Sequence, residues 1–127
     1  MKALLSIKPE FVKKIISGEK KYEYRKRIFK QKIESVVIYC TMPVGKVVGE
    51  FTIDKILNDS PEKLWAKTKE ESGISYNFFM EYFNNKEKGY ALKIEDLSLY
   101  DNPISKDSIA DFHAPQSFKY VEDEYIS

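Results

Sequence analysis

The stretch Gly18-Glu19-Lys20-Lys21-Tyr22-Glu23-Tyr24-Arg25-Lys26-Arg27 constrains the fold more than any other part of the chain. It packs two glutamates and five cations into ten residues, with two tyrosines alternating through it. Charge at that density ordinarily belongs to a solvated helix face or a disordered tail. Here a glycine opens the run, and the tyrosine alternation has the period of a strand. In such a strand Glu23 and Arg25 point to one side and Tyr22 and Tyr24 to the other. Lys20 has the parity of the tyrosines. To meet Glu23 and Arg25 it needs either a twist or bulge before Glu23 or a reach in from the glycine turn, and the second is expected because its long flexible stem permits it. The pattern predicts a strand that presents several charges to one small volume and suits an anionic ligand. From the residues alone, the same charges equally describe a surface salt-bridge ladder of little energetic value.

The flanking sequence fits a strand in that position. Residues 3–7 read as a short buried strand. Lys8-Pro9-Glu10 starts a helix whose apolar face is Phe11, Val12, Ile15 and Ile16, and Gly18 falls at its left-handed C-cap. After the charged strand at 20–27, Val36 to Cys40 is a third strand and residues 47–56 a fourth, with a bulge or close backbone approach at Gly49. Ser60-Pro61-Glu62 starts a second helix, and Ser75 caps a third through Phe78, Phe79, Tyr82 and Phe83. Residues 90–94 alternate as a fifth strand, residues 97–108 read as turn-rich, and 113–121 are extended and return to close the sheet. The order predicts an α+β fold: a small mixed sheet or half-open barrel of five to six strands, with helices plugging and flanking it.

Size places residues 1–127 in one domain, with an acidic, frayed end over 122–127. A net charge of +1 gives no global case for nucleic acid, so any such case is local, in the Lys- and Arg-rich N-terminal quarter. Cys40 is the only cysteine and His113 the only histidine, so neither a disulfide nor a zinc site is expected. No metal and no cofactor is expected. The absence of an apolar run of membrane-spanning length and the cysteine usage point to a cytoplasmic protein. Cys40 reads as a small buried hydrophobe, His113 as a turn histidine, and the aromatics of the third helix, with Trp65, as core.

Gly18-x-Lys20-x-x-Glu23-x-Arg25 resembles the signature of ASCH domains, small β-barrels related to the PUA fold. Tyr39-Cys40-Thr41, the strand from Val47 to Phe51, Gly73-Ile74-Ser75 and Ala114-Pro115-Gln116-Ser117-Phe118 resemble a stand-alone prokaryotic subfamily often called predicted transcriptional regulators. The resemblance implies a cleft lined by the motif and a role with RNA or modified nucleotides. One bacterial branch hydrolyses the amide of N4-acetylcytidine with a lysine, a threonine three residues on and a downstream glutamate. Lys20 matches the lysine, Glu23 stands at the threonine position, and Glu71, ahead of Glu70, sits near the third.

Two functions follow as expectations. In the first, the chain is a nucleic-acid-recognition module. Lys20 and Arg25 hold phosphate, Glu23 orients Arg25 or accepts from a base, Tyr39 or Tyr120 stacks, and Arg27, Thr41 and Ser117 complete the ligand set. In the second, it is a small metal-independent hydrolase of acylated cytidine or RNA, with Lys20, Glu23 and Glu71 as its catalytic groups. A protein-interaction domain without a nucleotide ligand is a third, weaker reading.

Overall fold

A continuous apolar run must be covered on both sides, and the two such runs in this chain lie side by side in one sheet. In the computed structural model, which describes residues 1–125, they are β1 (Lys2–Ile7) and β3 (Val36–Cys40), paired in parallel. Ala3, Leu5, Ile7, Val36, Ile38 and Cys40 face one core, while Leu4, Val37 and Tyr39 face another. The full sheet has six strands in the order β2-β5-β4-β3-β1-β6. Its other strands are β2 (Tyr22–Arg25), β4 (Lys46–Asp59), β5 (Gly89–Ser105) and β6 (Phe118–Val121), each in antiparallel pairing. The sheet curls into a half-barrel. With three helices the fold is α+β, as the sequence predicts.

Helix α1 (Pro9–Ser17) puts Val12 and Ile15 into the first core, beside Phe51 and Leu92. Proline at its first position needs no amide partner there, and Gly18 ends it at φ 86°, donating its N–H to the carbonyl of Ile15. Helices α2 (Pro61–Thr68) and α3 (Tyr76–Tyr82) begin on Ser60 and Ser75, whose hydroxyls accept from the amides of Lys63 and Phe78. Together they cover the far side of β2 and β5, burying Leu64, Phe79 and Phe83 on Tyr22, Tyr24 and Ala91.

Two elements differ from the sequence expectation. The segment from Leu97 onward is not turn-rich: β5 runs on to Ser105, held along β4. Its turn signals are absorbed by breaks in register. Asp96 takes φ 48°, and Pro103 falls in the stretch between Leu99 and Ile104 that has no partner on β4, where a missing amide costs no ladder bond. The charged strand is shorter than 20–27, because Lys20 and Lys21 precede the pairing of β2 with β5. In the acidic end, Asp123 takes the Met1 ammonium, and the Tyr125 backbone N–H donates to the carbonyl of Glu122. Residues 126–127, the remainder of that end, lie outside the described residues. The register slip expected at Gly49 is present.

A Cβ placed at Gly18 would meet nothing within 4 Å, so Gly18→Ala tests the backbone alone. The left-handed conformation at φ 86° sets the loss at about 1–2 kcal/mol in a urea titration. An unchanged midpoint would mean that the helix ends some other way.

Candidate functional site

β2 is an edge strand, paired only with β5, and its alternation divides it as the sequence predicts. Tyr22 and Tyr24 enter the α2–α3 core, with the Tyr24 hydroxyl 2.7 Å from Thr68 Oγ1. Glu23 and Arg25 turn to the concave face. They line a cavity of about 270 Å³ together with Lys20, Phe11, Phe78 and Tyr82.

Lys20 joins them from the turn. Its backbone N–H donates to the carbonyl of Lys14, and its side chain is only 2 % exposed. The ammonium Nζ lies 3.7 Å from Glu23 Oε1, donates to the Ser72 carbonyl at 3.3 Å and sits 4.7 Å from the centroid of the Tyr24 ring. On the other side of Glu23, Oε2 is 3.9 Å from Arg25 Nη1. Arg25 Nη2 donates to the carbonyl of Ser117 at 2.6 Å and lies 3.4 Å from its hydroxyl. One buried carboxylate thus stands between two buried cations, so the triad keeps one excess positive charge when all three are ionised, and Lys8 adds another cation to the cavity lining.

Burial holds the Lys20 amine below its ordinary value of 10.5, against the opposing pull of Glu23. Burial also pushes the Tyr24 phenol up to about 12 and the Tyr82 phenol in the same direction, so both rings stay uncharged at neutral pH. The Cys40 thiol is raised by burial, which makes it a poor nucleophile.

The Lys20 position depends on a segment from elsewhere in the chain. Gly73, at φ 68°, packs so closely that a Cβ there would come within 2.5 Å of Lys20 Cβ. Its carbonyl accepts from Lys14 Nζ at 2.9 Å, next to the Ser72 carbonyl that accepts from Lys20.

The other expected site residues are dispersed. Glu71 follows α2 in a 3-10 turn and pairs with Lys21 at 3.3 Å, outside the cavity. Tyr39 is 2 % exposed on the opposite face of the sheet, its ring 4.8 Å from that of Phe112, and offers no face for stacking. Thr41 spends its carbonyl on the amides of Val44 and Gly45 in the turn after β3. Arg27 and Tyr120 border a neighbouring hollow, and Ser117 lies where that hollow meets the cavity through Arg25. Among the described residues, no three His, Cys, Asp or Glu side chains are grouped to hold a metal ion. No helix among them is long and apolar enough to cross a membrane.

The sequence reading missed the aromatic walls. Phe78, 39 % exposed at the mouth, and Tyr82 line the cavity, while Phe79 and Phe83 are core. The doubled aromatics at 78–79 and 82–83 were the available signal. On a helix they make two adjacent stripes, and one core face needs only one.

An ASCH domain family model matches residues 5–98. The chain is 32% identical over 127 residues to an ASCH domain-containing ribonuclease of Zymomonas mobilis, covering 96% of this chain and 85% of that one. It superposes on a crystal structure of an ASCH protein from Zymomonas mobilis with TM-score 0.89 at 32% identity, covering 98% of this chain and 90% of the other. The N-terminal domain of Staphylothermus marinus McrB, 12% identical at TM-score 0.59 over 97% of this chain and 89% of its own, shares the fold. The chain belongs to the ASCH domain family.

Proposed function

We propose that the chain binds RNA by taking one unpaired nucleotide into the Lys20–Glu23–Arg25 cleft. The observation that carries this is the convergence of two buried cations on one carboxylate inside an aromatic-walled cavity. A pocket of about 270 Å³ has room for one nucleotide and not for a duplex. Phe78 and Phe11 supply apolar faces for a base, and Arg25 offers its remaining guanidinium N–H groups to a phosphate oxygen. The likeness to a protein named a ribonuclease supports RNA as the ligand class.

Lys20→Met and Arg25→Ala should each weaken binding of single-stranded RNA about 10–100-fold, the worth of one charge-assisted hydrogen bond. Equal affinity in wild type and both variants would sink this reading.

A second reading, cleavage of RNA in the same cleft, is favoured by the lowered pKa of Lys20. A neutral amine can take a proton from a ribose hydroxyl or a water, and an ammonium cannot. With Glu23 at the threonine position, acyl transfer has no hydroxyl nucleophile at that place. The pH dependence separates the readings. If the Lys20 ammonium binds phosphate, affinity falls as pH rises through its folded pKa, below 10.5, and Lys20→Arg removes the fall. If the free amine is a base, the cleavage rate rises through that same pH.

The same titration acts on stability. Between the folded pKa of Lys20 and 10.5 the unfolded chain binds more protons, so stability rises with pH in that window. Lys20→Met abolishes the rise. Glu23→Gln leaves both cations buried without a counter-charge and should cost about 3–5 kcal/mol at neutral pH. Lys20→Met should cost less, because the Glu23–Arg25 pair survives. The reverse order of urea midpoints would mean that the three charges are not coupled.

A further inference from the structure

Across the Arg25–Ser117 contact lies a second, larger hollow of about 670 Å³. Its cations are Lys26, Arg27 and Lys30, its floor includes Phe118 and Tyr120, and among the described residues no carboxylate lines it. All three cations are exposed, and among the described residues none of them forms a salt bridge. Glu34, the acid of the loop after β2, lies 3.8 Å from the Met1 ammonium, so it leaves Lys26, Arg27 and Lys30 uncompensated.

Two features make the hollow more than a basic patch. The Tyr120 oxygen accepts from the backbone amides of Lys30 at 2.8 Å and Gln31 at 3.2 Å, which fills both of its lone pairs. Those bonds pin the basic loop to β6. The phenol proton has no acceptor among the described hydrogen bonds and is left for a ligand oxygen. The hollow also adjoins the cleft at two points. Lys26 Nζ lies 4.6 Å from the centroid of the Tyr82 ring, and Tyr82 lines the cleft. Ser117 borders the hollow while its neighbour Gln116 borders the cleft.

We propose that this hollow is a subsite for the ribose-phosphate backbone of single-stranded RNA, carrying nucleotides that flank the one held in the cleft. The proposal rests on the reading of the cleft as a nucleotide site. Lys26, Arg27 and Lys30 take phosphate oxygens, Tyr120 donates its phenol proton to one more, and the strand leaves the cleft past Arg25. Three phosphate contacts on a chain of net charge +1 suit a short single strand, where a long duplex would need many.

The test compares wild type, the triple variant Lys26→Ala/Arg27→Ala/Lys30→Ala and Lys20→Met. The probes are a panel of ribonucleoside monophosphates and a single-stranded RNA of about ten nucleotides. In the triple variant monophosphate binding stays at the wild-type level and RNA binding falls. The dependence of log affinity on log salt flattens by about 2, from roughly 0.7 per lost contact on a single strand. A triple variant that keeps wild-type RNA affinity and salt slope overturns the subsite and leaves the cleft reading intact. If the triple variant loses RNA while Lys20→Met binds both probes normally, the hollow binds the RNA backbone by itself, and the cleft reading, with the flanking role built on it, is overturned. A wild-type chain that binds neither probe overturns both.

Discussion

The Glu23 carboxylate between Lys20 and Arg25 is the interaction around which this end of the molecule is arranged. Three ionised groups in a space that excludes most water would each cost several kcal/mol if left alone. They are tolerated because each has a partner within 4 Å, and because both cations also find a backbone carbonyl. Those carbonyls, of Ser72 and Ser117, come from opposite parts of the chain. Satisfying the charges therefore fixes where the α2–α3 connection and the approach to β6 must lie. The turns at Gly18 and Gly73 serve the same end. The first releases Lys20 from the helix before β2 begins, and the second brings a backbone against its stem where no larger residue fits.

The half-barrel is held along its seam by side chains. β2 and β6 are the two edges of the sheet, and among the described residues no strand ladder joins them. Arg25 bridges from β2 to Ser117, and Tyr120 of β6 anchors the amides of Lys30 and Gln31. Ser6 adds a tie from β1 to the carbonyl of Pro115 at 2.8 Å. A seam made this way leaves gaps that a closed ladder would fill. The cleft and the basic hollow are the gaps on either side of Arg25, which explains why both lie beside the most charged stretch of the sequence.

Much of this was legible from local signals. β1, α1, β3 and the starts of α2 and α3 each carry their own mark: a short apolar run, a proline at the first helical position, or a serine N-cap. The parity of Glu23 and Arg25 and the reach of Lys20 also followed, because Gly18 and the tyrosines fix the local geometry. What failed was non-local. Pairing with β4 carries β5 past Asp96 and Pro103, which read alone as turns. Tyr39 looked free at the end of an apolar strand until Phe112, 73 places further on by residue number, covered it. The carbonyl that holds Lys20 comes from 52 residues downstream, and no feature of the Gly18 stretch announces it.

The low net charge of the whole chain then gains a different meaning. A protein that binds nucleic acid by long-range attraction needs an excess of cations over its surface, and this chain carries 21 cations against 20 acids. Its positive groups matter through placement. Five of them lie between Arg25 and Lys32 with no acid in that span, and the first of these is already bonded into the seam. Under the proposed subsite, affinity concentrated in so short a segment depends on the segment being held still. The two amide bonds to Tyr120 hold the loop, and the guanidinium of Arg25 holds its root. The contacts that close the half-barrel are therefore the same ones that would organise its ligand, so the sheet could not lose its seam and keep either proposed site.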